Sequence, residues 1–185
     1  MALGDNMVVM VILSVIIVIC VVMIAIVSIY NKFQDYIIRI NEAEVNIDAV
    51  LRKRFDLLNK SIGIIKANTN IDGDVLELIV KLRSRKLTNF ELDRSLYDAI
   101  NEFNTYKEQY EELKNCEAYL KIEINLIESE SEIVALRKYY NDIISDYNKM
   151  VKTCPSNFVA LLNHYSTKEY FDGNKIEDDN EMVKL

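Results

Sequence analysis

One proline and four glycines in 185 residues leave few places where a helix must break. Alternation at period two never persists, and the one Ile/Val-rich run is too long for a strand, so no β element is predicted. Cysteine occurs three times, at Cys20, Cys116 and Cys154, with no C-x-x-C spacing. That pattern does not make a disulfide framework, and reduced thiols fit a cytoplasmic domain. A basic stripe is also missing. All 22 basic and 28 of the 29 acidic residues follow Tyr30, which gives that part a formal charge of −6. Nucleic acid is therefore not an expected partner, because phosphate binding relies on clustered Lys and Arg.

The parts for catalysis are equally short. His164 is the only histidine, with no Cys or Asp within four positions, and Cys154 lies ten residues before it across Pro155. Helical bundles hold paired metals through Glu-x-x-His motifs, but position 161 is Leu161. H-E-x-x-H, G-x-S-x-G and glycine-rich phosphate loops do not occur. Glu123, Glu128, Glu130 and Glu132 suggest a cation site at first sight. Lys121, Arg137 and Lys138 share that charge, and a solvated acidic face is the simpler reading. No residue is assigned a catalytic, cofactor-binding or metal-binding role.

What the chain does have is an uncharged run from Met7 to Tyr30, MVVMVILSVIIVICVVMIAIVSIY, after a short flank at 1–6. Crossing a bilayer takes roughly 20 mainly apolar residues, and a helix satisfies its own backbone there. A cleaved signal peptide wants a basic start, a shorter core and small residues at a cleavage site. MALGDNM has Asp5 and no base, and the run ends with Ile26 and Ser28 where small residues are needed. A single-pass anchor is predicted, with Cys20 as apolar filler within it rather than a lipidation site. Lys32 and Arg39 follow the span and no base precedes it, so the N-terminus is expected outside and the main domain in the cytoplasm.

Beyond the anchor, Phe33, Ile37, Ile40, Ile47, Leu51, Phe55, Leu58, Ile62 and Ile65 recur at steps of three and four, with one polar slot at Glu44. With no breaker after Tyr30, the membrane helix is predicted to run on to Ala67, reaching roughly 55 Å beyond the bilayer. The stretch Asn68 to Gly73 should end it. A shorter helix is expected over about 74–86, with Val75, Leu78, Ile79 and Leu82 inward. Thr88 and Glu91 form a capping box for a third helix to about Tyr110, with Leu96, Ile100 and Phe103 inward. Glu111 to Cys116 reads as a bend.

The last helix has a seam of Tyr119, Ile122, Leu126, Ser129, Ile133, Leu136, Tyr140, Ile143, Tyr147 and Met150, ended by Pro155. Tyr140 and Tyr147 are expected in the core, Asn141 and Asn148 to bond across to a neighbouring helix, and Arg54, Asp56 and Arg137 to form cross-helix ion pairs. Residues 158–171 should pack as a short helix or strap, and 172–185 is an acidic tail with little to bury. The fold class is all-α: an N-terminal transmembrane helix continuing into an antiparallel up-and-down bundle of about four long helices.

With the helices placed, the domain at 31–171 resembles the LemA family of bacterial membrane proteins. The family's Tyr-Asn after the anchor is matched by Tyr30-Asn31, and its Ala-Trp-Ser and Ile-Asp elements fall on Ala43-Glu44-Val45 and Ile47-Asp48. Its Leu-Lys-Arg-Arg-Tyr-Asp-Leu-Ile run is similar to 51–58, and its Val-Lys pair to Ile65-Lys66. Tyr110 to Leu120 follows the family's bend. Glu130-Ser131, Ala135-Leu136-Arg137, Tyr140-Asn141, Tyr147-Asn148, Cys154-Pro155 and Tyr170-Phe171 then follow its last helix and closing strap. Asp72 to Thr105 matches only in helical character. The family's Trp is replaced by Glu44, and its Pro-Asn by Asn59-Lys60.

The resemblance implies a bundle of long antiparallel helices at a membrane, and an activity that is not established. A non-catalytic interaction or scaffold protein at the cell envelope, with a protein partner, fits best. A membrane-active or self-assembling protein is the alternative, and an unrecognised hydrolase or metal-dependent enzyme a third reading.

Overall fold

No proline interrupts 2–68, and these residues form one helix, α1 (Ala2–Asn68), with no break where the apolar run meets the first charges. The computed structural model describes residues 2–69, 71, 75–82 and 87–171, with side chains from Met7 onward. Among them there is no strand. After α1 come α2 (Glu77–Leu82), α3 (Asn89–Gln109), α4 (Glu111–Lys114), α5 (Glu117–Lys152) and α6 (Ser156–Leu162). The expected second helix is shorter within the described residues, and its outer positions 74 and 83–86 lie outside them. So does the tail at 172–185.

Local chemistry accounts for the helix ends. At the end of α1, Thr69 donates both its hydroxyl (2.6 Å) and its N–H (2.9 Å) to the Ile65 carbonyl. This satisfies one of the carbonyls that a helix end leaves without partners. At the start of α3, Glu91 N–H donates to Thr88 Oγ1 (3.3 Å) and Thr88 N–H to the Glu91 carboxylate (2.9 Å), so the capping box is complete. The predicted bend at Glu111 to Cys116 contains the single turn of α4, whose Leu113 is buried. One apolar anchor was enough to make that segment turn inward, though four residues are too few to show a period.

The chain divides into two compact units. The first comprises Met1–Arg39 and Ile143–Lys168. Here the side chains from Met7 to Ser28 are exposed along α1, and burial begins only at Phe33. Phe33 packs edge-on against Tyr147 (5.8 Å between ring centres) and lies 5.0 Å from Tyr165.

The second unit comprises Ile40–Asp142 and Glu169–Leu185. Its core joins Ile47, Leu51, Leu58 and Ile65 of α1 to Ile79 of α2, to Leu96 and Phe103 of α3, and to Tyr119, Leu126 and Ile133 of α5. Within this unit Glu44 meets Tyr140 and Arg54 meets Glu130, so α1 and α5 run antiparallel. Asp93 meets Arg137 and Lys107 meets Glu123, so α3 is also antiparallel to α5 and runs the same way as α1. Phe103 stacks on Tyr119 at 4.3 Å, and the Tyr119 hydroxyl donates to the Phe103 carbonyl.

Candidate functional site

Two inward positions of the second unit, one on α1 and one on α3, carry charge. Arg54 follows Leu51 on the buried face of α1 and is 1% exposed. Asp93 precedes Leu96 on the inward face of α3 and is also buried. Arg54 Nη1 stands 3.6 Å from Asp93 Oδ1, and its Nη2 donates to Glu130 of α5. Arg137 Nη2 donates to the same Asp93 oxygen at 2.6 Å, and its guanidinium lies over the Phe171 ring at 5.6 Å. The result is a cluster of two guanidiniums and two carboxylates that ties three helices together. Burial pushes the Asp93 carboxyl above its ordinary range, while Arg137 and then Arg54 pull it back.

Beside this cluster lies a groove of about 360 Å³, formed by α1, α3 and α5. Arg54 and Glu130 form one end, Tyr97, Ile100, Leu126 and Ile127 the apolar walls, and Asn104, Lys107, Glu108 and Glu123 the polar rim. Lys107 Nζ donates to both Glu123 oxygens, at 2.8 and 2.6 Å. The volume falls at the low end of small-ligand sites. Its walls carry no Ser, Cys or His, so a Ser–His or Cys–His pair is not assembled there.

Three of the four carboxylates weighed as a cation site have separate partners. Glu123 is held by Lys107, Glu130 by Arg54, and Glu132 lies 3.8 Å from Lys53. Among the described residues, no three His, Cys, Asp or Glu side chains converge as metal ligands would. Asp56 takes no part in the ion cluster expected for it. It is exposed, because two positions from Arg54 is over half a turn round the helix.

Asp93 was missed by sequence reasoning. The available signal was its spacing, since 93, 96, 100 and 103 form one inward face with a single polar slot.

The Tyr-Asn pairs are brought into use. Tyr147 is buried against Phe33, and the Tyr140 hydroxyl donates to Glu44 Oε1 at 3.3 Å. The two asparagines bond to the closing strap rather than to a neighbouring helix. Asn148 donates to the Lys168 carbonyl (2.9 Å) and accepts from its N–H (2.8 Å), and Asn141 Oδ1 accepts from the Phe171 N–H (2.9 Å). An extended segment leaves its backbone groups without helix or sheet partners, and an amide side chain can donate and accept at once.

His164 is exposed just past α6, with φ of 56°. Its N–H bonds to the Leu161 carbonyl and that of Tyr165 to the Ala160 carbonyl, which is a Schellman closure with His164 at the left-handed position.

A model of the LemA family matches residues 43–185. The chain belongs to the LemA family. Among curated relatives, Protein LemA of Metamycoplasma hominis is 29% identical over 146 residues. The match covers 75% of this chain and 66% of that protein, just under two thirds of the relative's length. The LemA match takes in the ion cluster, the groove, both Tyr-Asn pairs and the strap. The apolar run at Met7–Tyr30 lies outside it.

Proposed function

We propose that this LemA-family chain is a membrane-anchored, non-catalytic interaction or scaffold protein at the cell envelope. The observation that carries the reading is the change along α1. Its first part is an uncharged apolar surface, exposed all round, while the same helix continues into a stripe buried on one face. A helix exposing that much apolar surface is stable only in lipid or against a partner. The ion cluster supports the non-catalytic part of the reading, because Arg54, Arg137, Asp93 and Glu130 are engaged with one another.

Two measurements test it. The full chain should stay with the membrane fraction in alkaline carbonate, and a chain beginning at Asn31 should be released. A photo-crosslinking residue at exposed Val45 should give discrete adducts with another protein in cells. Release of the full chain by carbonate would overturn the anchor, and adducts with itself alone would point to self-assembly instead.

A further inference from the structure

We propose that α6 is seated in the bilayer surface, with Phe158, Leu161 and Leu162 inserted at headgroup depth as a second membrane contact beside the span. The proposal rests on the reading that Met7–Tyr30 crosses the bilayer. It starts from an inversion of the usual order. Within α6 the small residues Ser156, Val159 and Ala160 are buried, while Phe158, Leu161 and Leu162 are 63%, 74% and 74% exposed.

Register within the first unit says what covers that face. Phe33 lies against Tyr147 and Tyr36 faces Asp146, so α5 descends antiparallel along α1 toward the span. From Tyr147 to Lys152 α5 advances about 7.5 Å, which brings its end level with Ser28, inside the apolar run. Cys154, Pro155 and α6 follow from there. The chain then climbs back, and Tyr165 accepts a hydrogen bond from Gln34 Nε2 at 2.7 Å. The exposed face of α6 is therefore bracketed between the last turn of the span and the first turn beyond it.

The polar residues at this level fit the same boundary. Tyr30, the last residue of the apolar run, and Tyr165, held by Gln34, lie at this level, the depth where amphipathic rings gather. Lys149, in the last turn of α5, comes level with Asn31 by the same register, and Lys32 stands just beyond the span, cations at the level of lipid phosphates. Asp35 and Asp146 begin on the aqueous side. A short helix with an aromatic and leucine face beside such a boundary matches interfacial seating.

The chain contains no tryptophan, so single-Trp variants each report one position. Full-length Phe158→Trp, Ile16→Trp and Val45→Trp would be reconstituted in phosphatidylcholine–phosphatidylglycerol vesicles with lipids brominated near the headgroup or near the chain ends. Phe158→Trp should emit blue-shifted light and be quenched most by bromine near the headgroup. Ile16→Trp should be quenched most near the chain ends, and Val45→Trp by neither. Aqueous, unquenched emission at 158 with quenching at 16 would overturn the seating and leave the anchor standing. Blue-shifted but unquenched emission at 158 would mean that protein, such as a second copy, covers α6, which also overturns it. Absence of quenching at 16 would overturn the anchor and the seating together.

Discussion

Arg54 and Asp93 are buried in a medium that penalises charge, so each depends on the other and on Arg137 and Glu130. Removing one partner of such a set leaves an uncompensated ion, and this typically costs about 3–5 kcal/mol. Asp93→Ala should lower stability by roughly that amount in chemical denaturation, while Asp56→Ala on the exposed face should change it little. Two backbone positions make an opposite pair. Gly63 sits in the interior of α1, and a Cβ there would meet nothing within 4 Å. Gly63→Ala should therefore stabilise by roughly 1 kcal/mol through helix propensity. His164 holds a left-handed φ that glycine adopts without strain, so His164→Gly should raise the melting temperature. A fall would show that the ring makes a contact worth more than the strain. Asp93 was hard to read because one acidic residue on a helix resembles any solvated position until its neighbours at steps of three are aligned.

At the scale of elements, the sequence was most legible where burial repeats. The stripe of α1 and the seam of α5 could be read directly, since a packed face returns every three or four residues over many turns. α4, with its one turn, and the strap carry no such period. The strap is held by Asn141 and Asn148, whose side-chain bonds to backbone leave no mark on hydrophobic patterning. Seam residue Ile133 is fully buried, and Ile133→Asp should cost several kcal/mol before the carboxyl shifts its pKa. A melting temperature equal to wild type would mean that the seam is misplaced.

The same helix carries a pH signature. Burial, then the charge of Glu44 and the hydrogen bond to it, push Tyr140 up to about 12. The folded state thus keeps this proton in a range where an unfolded tyrosine, with a pKa near 10, loses it. Its stabilisation is complete below about pH 10 and fades as pH rises through about 12. Tyr140→Phe should make the alkaline fall in melting temperature shallower. An unchanged slope would assign that fall to other tyrosines.

For the whole molecule, the apolar surface is divided by position along α1. A chain beginning at Asn31 loses the span and keeps the stripes, so it should be soluble, highly helical and cooperative in melting. A strand-rich or unfolded circular dichroism spectrum would contradict the bundle. Orientation is a separate matter, since the fold is the same on either face of a membrane. On the proposed reading of Met7–Tyr30 as a span, Lys32 and Arg39 follow it and Asp5 is the one side-chain charge before it, so the domain is predicted to be retained in the cytoplasm. Asp35, Glu42 and Glu44 do little against this, because acidic residues contribute little to the bias. Cys116 is a poor reporter of sidedness, because it packs partly buried against the core. Val45 is 67% exposed and lies fifteen residues past Tyr30, where the apolar run ends. Val45→Cys, in a chain whose three native cysteines are replaced, should resist a membrane-impermeant maleimide in intact cells and react after lysis. Labelling before lysis would place the domain outside, and any partner with it.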